Sequence, residues 1–151
     1  MNPIDEKILR RIERDFPVSS YPYRDLARDL GLGEEEVISR ISRLKKKGII
    51  LRIGAFFDSE KLGFKSTLVA MKVPQSRLQE VAKIVNRCPG VTHNYSRDHE
   101  FNLWFVLMES SNKEMDESLK NIQAQTGINQ ILKLPKRQLF KLDLSFVRER
   151  E

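Results

Sequence analysis

One change in hydrophobic periodicity constrains the fold of this chain more than any other feature, and it falls at the polar stretch DSEKLGFK, residues 58–65. Upstream of it, apolar residues recur every three or four positions, which is the spacing of amphipathic helices. Downstream, short β-rich segments alternate with helical ones, which indicates an α+β unit. We therefore predict two domains, residues 1–60 and residues 61–151.

The first domain is predicted to be a winged helix-turn-helix. Apolar stripes indicate helices over residues 4–15, 22–31 and 34–48, and the turn GLG joins the last two. Gly48 is a typical helix terminator. The apolar segment IILRIGAFF (49–57) that follows is predicted to be a strand or wing.

The second domain shows the element order of a ferredoxin-like unit, β-α-β-β-α-β. We predict strands at 66–73, 90–96, 101–108 and 128–146, and helices at 74–87 and 111–127. Pro135 interrupts the last strand region, because proline cannot donate to a strand ladder. This α+β architecture, together with the stretches IDEKILRRIERD and LARDLGLGEEEVISRISRLKKKGII, resembles the Lrp/AsnC regulators over almost the whole chain.

The net charge of +6 indicates an acidic partner, either a nucleic acid or a small molecule rich in carboxylates. The first 63 residues hold 13 basic and 11 acidic residues, and the remainder 14 and 10, so the excess is not concentrated in the helix-turn-helix. The third helix begins with Glu34, Glu35 and Glu36, where a recognition helix would contact DNA. Carboxylates repel phosphates, so we do not expect DNA binding and interpret the helix-turn-helix as a scaffold.

The chain is expected to be cytoplasmic. No stretch approaches the roughly 18 apolar residues typical of a membrane span, and the charged N-terminal segment lacks the apolar core of a signal peptide. Cys88 is the only cysteine, which excludes an internal disulfide framework. We therefore expect neither a membrane partner nor an oxidising compartment.

The stretch GVTHNYSRDHEFNLWFVL (90–107) contains both histidines and the only tryptophan of the chain. Its four-residue link RDHE predicts a hairpin in which Ser96 lies opposite Phe101 and Tyr95 opposite Asn102. Side chains alternate between the two faces of each strand. One face, expected to be covered by helices, holds Phe101, Leu103, Phe105 and Leu107. The other, expected to be open to a ligand or partner, holds Val91, His93, Tyr95, Arg97, Asn102 and Trp104.

The open face combines side chains that suit a flat, polar, anionic ligand. The imidazole of His93 can ligate iron, and Trp104 can pack against a macrocycle. Tyr95 and Arg97 can hold carboxylates. His99 lies at the hairpin tip, a position that by itself favours a solvated side chain. Each residue taken alone has a simpler interpretation as a structural or surface residue, and the pattern alone does not identify the ligand.

This hairpin motif closely resembles that of the siroheme decarboxylases, and in particular their A-type, NirD-like subunit. The stretches LRIGAFFDSEKLGFKSTLVAMKVP and FPVSSYPYRDLA support the same resemblance. It implies an enzyme, a carboxy-lyase, that removes two acetate carboxyls from siroheme to give didecarboxysiroheme, on a route to haem or haem d1. It also implies a heterodimer with a B-type subunit, and no dedicated cofactor, since the iron arrives with siroheme as the substrate.

Mapped onto this sequence, the resemblance implies a set of site residues. His93, Tyr95, Arg97 and His99 are the catalytic candidates. The mechanism that the resemblance implies would use His93 as an axial ligand to the substrate iron or as a proton donor, with His99 as its competitor for either role. It would use Tyr95 to supply or relay a proton and Arg97 to anchor carboxylates. Arg52, Asn102 and Trp104 are candidates for substrate binding. Two other functions stay open: an Lrp/AsnC-type transcriptional regulator, and a sensor that binds a tetrapyrrole without decarboxylating it.

Overall fold

The computed structural model describes residues 2–141 of the 151-residue chain. Contacts divide the described residues into two compact units: the first covers residues 2–56 together with Lys141, and the second covers Phe57–Phe140. Each unit has its own buried apolar cluster, as an independent domain requires. None of the helices within residues 2–141 is long and apolar enough to cross a membrane.

The first unit contains the three helices of the predicted helix-turn-helix: α1 (Pro3–Arg14), α2 (Pro22–Leu30) and α3 (Glu34–Lys46). Proline suits the first turn of α1 and α2, since a backbone N–H at that position would have no helical partner. Gly31 caps the C-terminus of α2, and its φ of +66° lies in the left-handed region that glycine adopts without strain. The apolar stripes meet in a core of Ile8, Leu26, Ala27, Val37, Ile41, Leu44 and Ile50.

A buried carboxylate joins α1 to α3. Asp5 is only 7% exposed, and it accepts hydrogen bonds from Arg40 at 2.8 Å and from Arg43 at 3.1 Å. Burial by itself would raise the pKa of Asp5, but the hydrogen bonds and positive charges of the two arginines outweigh burial and lower that pKa. Two cations of α3 are thus engaged in holding the helices of their own unit together.

The predicted wing is absent: residues 49–57 form no strand, and this part of the prediction is wrong. Ile50 packs into the helical core, whereas Leu51 and Phe56 are exposed. A strand requires a neighbour to complete its hydrogen-bond ladder, and no segment of residues 2–141 pairs with this one. Apolar content alone does not reveal whether such a neighbour exists.

The second unit is the predicted ferredoxin-like arrangement, with two helices and an antiparallel sheet of strand order β2-β3-β1-β4. Its elements are β1 (Lys65–Met71), α4 (Leu78–Val85), β2 (Val91–Ser96), β3 (Leu103–Glu109), α5 (Asn112–Thr126) and β4 (Ile131–Pro135). A short 3-10 turn, Gln75–Arg77, precedes α4 and shortens the helix predicted at 74–87. β4 ends at Pro135, and residues 142–146 of the predicted strand region lie outside the described residues.

The two faces of the sheet differ in what covers them. One face packs against α4 and α5 in a core that includes Val69, Met71, Leu103, Phe105, Leu107, Val81, Val85, Met115 and Ile122. On the other, the register places His93, Val106, Leu68 and Leu134 in one row across the four strands, and Tyr95, Trp104, Ala70 and Leu132 in the next. Tyr95, Leu132 and Leu134 are 39%, 41% and 40% exposed, so the helices of this unit leave that side uncovered. We refer to it as the open face.

Candidate functional site on the β2–β3 hairpin

The two strands of the hairpin pair two residues out of the predicted register. Tyr95 lies opposite Trp104 rather than Asn102, and the longer connecting loop is closed by a 3.0 Å hydrogen bond from Arg97 N–H to the carbonyl of Asn102. The predicted pairing is therefore wrong, but a shift by an even number of residues keeps the β3 side chains on their predicted faces. The core-facing residues Leu103, Phe105 and Leu107 are buried as predicted, whereas Phe101 lies in the loop.

A β-bulge at Thr92 changes the face on which the preceding residue lies. Val91 pairs with Leu107 and His93 pairs with Val106, so Thr92 is an extra residue in β2. Val91 consequently packs against the core instead of lying on the open face, and its predicted position is wrong. The prediction assumed strict alternation along the strand, which an inserted residue interrupts.

His93 lies on the open face with its imidazole exposed to solvent. Its Nδ1 is 3.1 Å from the hydroxyl oxygen of Thr92. The same hydroxyl donates to the backbone carbonyl of Val106 at 3.4 Å. The second ring nitrogen, Nε2, has no hydrogen-bond partner within residues 2–141, so it is available to a ligand.

A cation–aromatic cluster of Tyr95, Arg97 and Trp104 follows His93 along the hairpin. The guanidinium carbon of Arg97 lies 5.0 Å from the ring centre of Tyr95 and 5.4 Å from that of Trp104, within the range of cation–π attraction. Trp104 is itself fixed by a 2.6 Å hydrogen bond that its Nε1 donates to the carbonyl of Phe101. No carboxylate in the described part of the chain forms an ion pair with Arg97. Aromatic rings therefore orient a guanidinium that is free to bind an external carboxylate.

An open depression of about 570 Å³ at the hairpin tip is lined by Arg97, Asp98, His99 and Trp104. His99 is held there because its Nδ1 accepts a 3.1 Å hydrogen bond from the backbone N–H of Phe101. The two rings also stack, with 6.3 Å between their centres. The depression brings together a guanidinium, an imidazole, an indole and the carboxylate of Asp98, whereas His93 and Tyr95 do not line it.

Two polar residues of the motif make hydrogen bonds within the fold that sequence reasoning missed. The amide of Asn102 donates to the carbonyl of Val73 at 2.8 Å and accepts from the N–H of the same residue at 3.0 Å. It thereby fastens the hairpin loop to the segment that follows β1. The amide of Asn94 donates to the side chain of Asn86 at 2.8 Å and to the carbonyl of Ala82 in α4 at 3.3 Å. A substrate contact by the Asn102 amide would compete with bonds that this amide already makes.

Arg52 lies in the first compact unit and is not part of the hairpin. It lines a groove of about 620 Å³ together with Phe16, Val18 and Phe56. The other candidates lie on one hairpin: His93, Tyr95, Arg97, His99 and Trp104. Asn102 attaches the loop of this hairpin to Val73 through two hydrogen bonds. The substrate contact predicted for Arg52 concerns a surface of the other unit.

The described residues offer no preformed metal site. Within residues 2–141, no group of three or more histidine, cysteine, aspartate or glutamate side chains is arranged to hold a metal ion. A single imidazole such as that of His93 suits an iron atom whose other ligands come from a macrocycle.

Two family models match this chain. Residues 5–50 match the siroheme decarboxylase NirDL-like HTH domain, and residues 61–141 match the AsnC-like ligand binding domain. Among solved structures, E. coli AsnC has a TM-score of 0.82 at 18% identity, covering 96% of this chain and 97% of that chain. At this identity the likeness concerns the fold alone, and it confirms the predicted Lrp/AsnC architecture.

Similar proteins of known function are siroheme decarboxylase subunits. The siroheme decarboxylase alpha subunit of Desulfovibrio desulfuricans is 46% identical over 97% of this chain and 84% of its own length. The siroheme decarboxylase NirD and NirG subunits of Pseudomonas aeruginosa are 38% and 36% identical, each over 97% of this chain, and over 96% and 99% of their own lengths. The crystal structure of the siroheme decarboxylase NirDL with an iron-uroporphyrin III analogue has a TM-score of 0.70 at 37% identity, covering 87% of this chain but only 43% of that chain. The resemblance predicted from the hairpin is confirmed, and the chain belongs to the siroheme decarboxylase family.

Proposed function

We propose that this chain is the A-type subunit of a siroheme decarboxylase, which removes carbon dioxide from two acetate side chains of siroheme and yields didecarboxysiroheme. The observation that carries the proposal is the guanidinium of Arg97, which aromatic rings hold in place and no described carboxylate neutralises. Siroheme is an iron tetrapyrrole with carboxylates around its rim. This one ligand therefore suits the guanidinium, the neighbouring imidazoles and the aromatic surface, and the family membership of the chain supports the same choice.

Arg97 serves in this proposal as the anchor for a substrate carboxylate that is not removed. A guanidinium binds a carboxylate through two parallel hydrogen bonds, which fixes orientation as well as position. Trp104 and Val106 provide an apolar surface beside it, and Asn102 keeps the loop that carries Arg97 fastened to the sheet. The net charge of +6 favours the approach of a polyanionic substrate.

Each decarboxylation requires an electron pair to be accommodated and a proton to be delivered. Cleavage of the bond between the acetate methylene and its carboxylate releases carbon dioxide and leaves the electron pair on the methylene carbon, where the macrocycle delocalises it. A proton then converts that carbon into a methyl group. Tyr95, partly exposed on the open face, is the proposed proton donor, and water returns a proton to the phenolate. His93 binds the substrate iron and thereby fixes the plane of the macrocycle.

A homologous B-type subunit is the proposed partner, in a heterodimer. The siroheme decarboxylase NirD and NirG subunits of Pseudomonas aeruginosa both resemble this chain, and NirDL is about twice its length. These observations support a second domain of the same fold in the working enzyme. The exposed Leu132 and Leu134 of β4 supply apolar surface whose burial against a partner would be favourable. We further propose that the enzyme works in the cytoplasm, in siroheme-dependent haem or haem d1 biosynthesis, without a membrane partner.

An Lrp/AsnC-type transcriptional regulator is the second candidate, and the fold is what favours it. The exposed acidic first turn of α3, Glu34–Glu36, and the engagement of Arg40 and Arg43 with Asp5 weigh against DNA binding. A gel-shift experiment near physiological salt distinguishes the two functions. Sequence-selective, salt-sensitive DNA binding would favour the regulator, whereas the absence of a shift would reject the regulator and favour the enzyme.

The direct test is anaerobic incubation of siroheme with the purified chain, with and without its B-type partner, followed by mass spectrometry of the tetrapyrrole. With both subunits present we expect the loss of two carboxyl groups as carbon dioxide. An unchanged tetrapyrrole mass would overturn the proposal. If siroheme bound with a changed absorption spectrum but kept its mass, the protein would be a sensor.

A further inference from the structure

We propose that the two histidines of this chain hold opposite neutral tautomers, so that His93 presents a bare Nε2 and His99 presents an Nε2–H. The structure supplies a separate hydrogen-bond partner to Nδ1 of each ring. The tautomers follow from these partners alone, whereas the roles we assign to them rest on the proposed function. Thr92 becomes a positioning residue in this scheme, because it acts on the ligand only through His93.

The tautomer of His93 follows from the direction of the hydrogen bonds around Thr92. The hydroxyl of Thr92 carries one hydrogen and lies 3.4 Å from the carbonyl of Val106, which can only accept, so we assign that hydrogen to the bond with the carbonyl. Toward Nδ1 of His93, 3.1 Å away, the hydroxyl oxygen therefore presents a lone pair. Nδ1 then carries the single hydrogen of the neutral ring. Nε2 is unprotonated, and its lone pair is available on the open face.

The β-bulge is what makes this contact possible. In a regular strand, neighbouring residues point to opposite faces, so the hydroxyl of Thr92 would lie away from the imidazole of His93. Because Thr92 is the extra residue between the pairs Val91–Leu107 and His93–Val106, both side chains are brought within hydrogen-bond distance. The insertion that upset the predicted position of Val91 is thus the feature that orients the histidine.

The tautomer of His99 follows from a partner that can only donate. The backbone N–H of Phe101 lies 3.1 Å from Nδ1 of His99, so Nδ1 must be the acceptor. The hydrogen of the neutral ring is then on Nε2. Stacking against the Phe101 ring holds the imidazole in this orientation within the depression that Arg97 also lines.

The opposite tautomers indicate which histidine is suited to the substrate iron, a choice that the sequence left open. A bare Nε2 with a hydrogen-bonded Nδ1–H is the form in which imidazole binds a metal, and such a second hydrogen bond fixes the ring of a metal-binding histidine. His93 is therefore suited to the iron of the substrate. An Nε2–H is a hydrogen-bond donor, so His99 is suited to a substrate carboxylate next to Arg97.

The tautomers are measurable without any tetrapyrrole. Since the chain has only two histidines, ¹⁵N-histidine labelling gives two rings, and long-range ¹H–¹⁵N spectra at alkaline pH, where imidazole is neutral, identify the protonated nitrogen of each. We expect Nδ1–H in His93 and Nε2–H in His99. Thr92→Val should shift His93 towards Nε2–H and leave His99 unchanged, Thr92→Ser should preserve the wild-type pattern, and Ser96→Ala is the control for losing a strand hydroxyl. The same tautomer in both rings, or no response of His93 to Thr92→Val, would overturn the inference.

A second measurement tests the roles with iron-uroporphyrin as the probe. Absorption titration of the full chain should show an imidazole-bound iron spectrum that His93→Ala abolishes and His99→Ala preserves. Thr92→Val should weaken binding about tenfold, as expected for loss of a group that orients a metal-binding histidine, and Thr92→Ser should restore it. Loss of the spectrum in His99→Ala but not in His93→Ala would overturn the assigned roles. Failure of the proposed function and failure of the tautomer inference are distinguishable. An unchanged mass of siroheme would reject the decarboxylase function, but it would have no bearing on the tautomers measured in the free chain.

Discussion

The positive charges of the helix-turn-helix and of the hairpin have different surroundings. In the first unit, Arg40 and Arg43 of α3 bind the buried carboxylate of Asp5. In the second, Arg97 lies against Tyr95 and Trp104 without an ion pair from any described carboxylate. A cation that is paired inside its own domain contributes to folding, whereas a cation that is oriented but unpaired is prepared for a ligand.

The comparison explains why one chain can retain the fold of a DNA-binding regulator and work on a small molecule. α3 begins with exposed carboxylates, and two of its arginines are committed to α1. The hairpin instead places its cation at the edge of an open depression. The two regions therefore respond differently to substitution, and four experiments test that difference.

The largest effect is expected from Arg97→Ala. Loss of a charge-assisted contact to a substrate carboxylate should lower kcat/KM for siroheme about a hundredfold, which corresponds to about 2.7 kcal/mol. The free energy of unfolding should change little, because the guanidinium is exposed and forms no ion pair with a carboxylate of residues 2–141. Arg87→Ala, which removes another exposed cation of the same unit, is the matched control for enzyme kinetics. Equal losses in the two variants would mean that net charge, rather than the oriented guanidinium, matters.

The next largest effect is expected from Asp5→Asn, and it concerns stability instead of activity. Removing the carboxylate takes the buried partner from Arg40 and Arg43, although Arg40 keeps its ion pair with Glu36. We expect the free energy of unfolding to fall by about 2 kcal/mol, measured by urea denaturation. Asp29→Asn, which breaks a more exposed ion pair with Arg11, should cost less than about 1 kcal/mol. Folded Asp5→Asn protein should keep the tetrapyrrole binding of the wild type, and a loss of binding would show that the two regions are coupled.

A smaller effect is expected from Asn102→Ala, which removes both hydrogen bonds to Val73. We expect a loss of about 1 kcal/mol in the free energy of unfolding, together with faster hydrogen exchange at the amide of Arg97, which the same loop holds. Asn102→Asp keeps the acceptor and loses the donor, so its effect should be intermediate. A variant with normal exchange but lost substrate binding would instead support the direct substrate contact that the sequence predicted.

The smallest effect is a pH dependence that originates in Asp5. Because the pKa of Asp5 is lowered in the folded chain, its stabilising contribution is complete above the ordinary value of 3.8 and is lost as pH falls through the lower folded value. The free energy of unfolding of the wild type, measured by urea denaturation, should therefore fall more steeply with decreasing pH than that of Asp5→Asn in this acidic range. Parallel pH profiles for the two proteins would contradict the assignment.

Most of the fold could be predicted from periodicity, because both units bury regular apolar patterns. The stripes of α1, α2 and α3 and the alternation in β3 correspond directly to buried residues. The segment 49–57 was predicted wrongly because apolar content does not distinguish a paired strand from an unpaired extended segment. Pairing depends on a neighbour, and a single segment contains no information about it.

The candidate site could be predicted in composition but not in detail. The hairpin faces depend only on alternation, so Tyr95 and Trp104 were placed correctly on the open face although the register was two residues out. The bulge at Thr92 and the amide contacts of Asn102 depend on positions elsewhere in the sheet, such as Val106 and Val73. Long-range partners of this kind have no local signature in the motif, which is why the sequence did not reveal the contacts between Asn102 and Val73.

The alternation in β3 also separates residues whose substitution changes ligand recognition from residues whose substitution disturbs the core. Trp104 and Val106 face outward, so substitutions there change what the surface recognises and leave the packing beneath α4 and α5 intact. Leu103 and Phe105, one position away, are constrained by that packing. A lineage that inherits this sheet can therefore acquire a new specificity by changing every second residue of one strand, and descendants with the same scaffold but unrelated activities are the expected result.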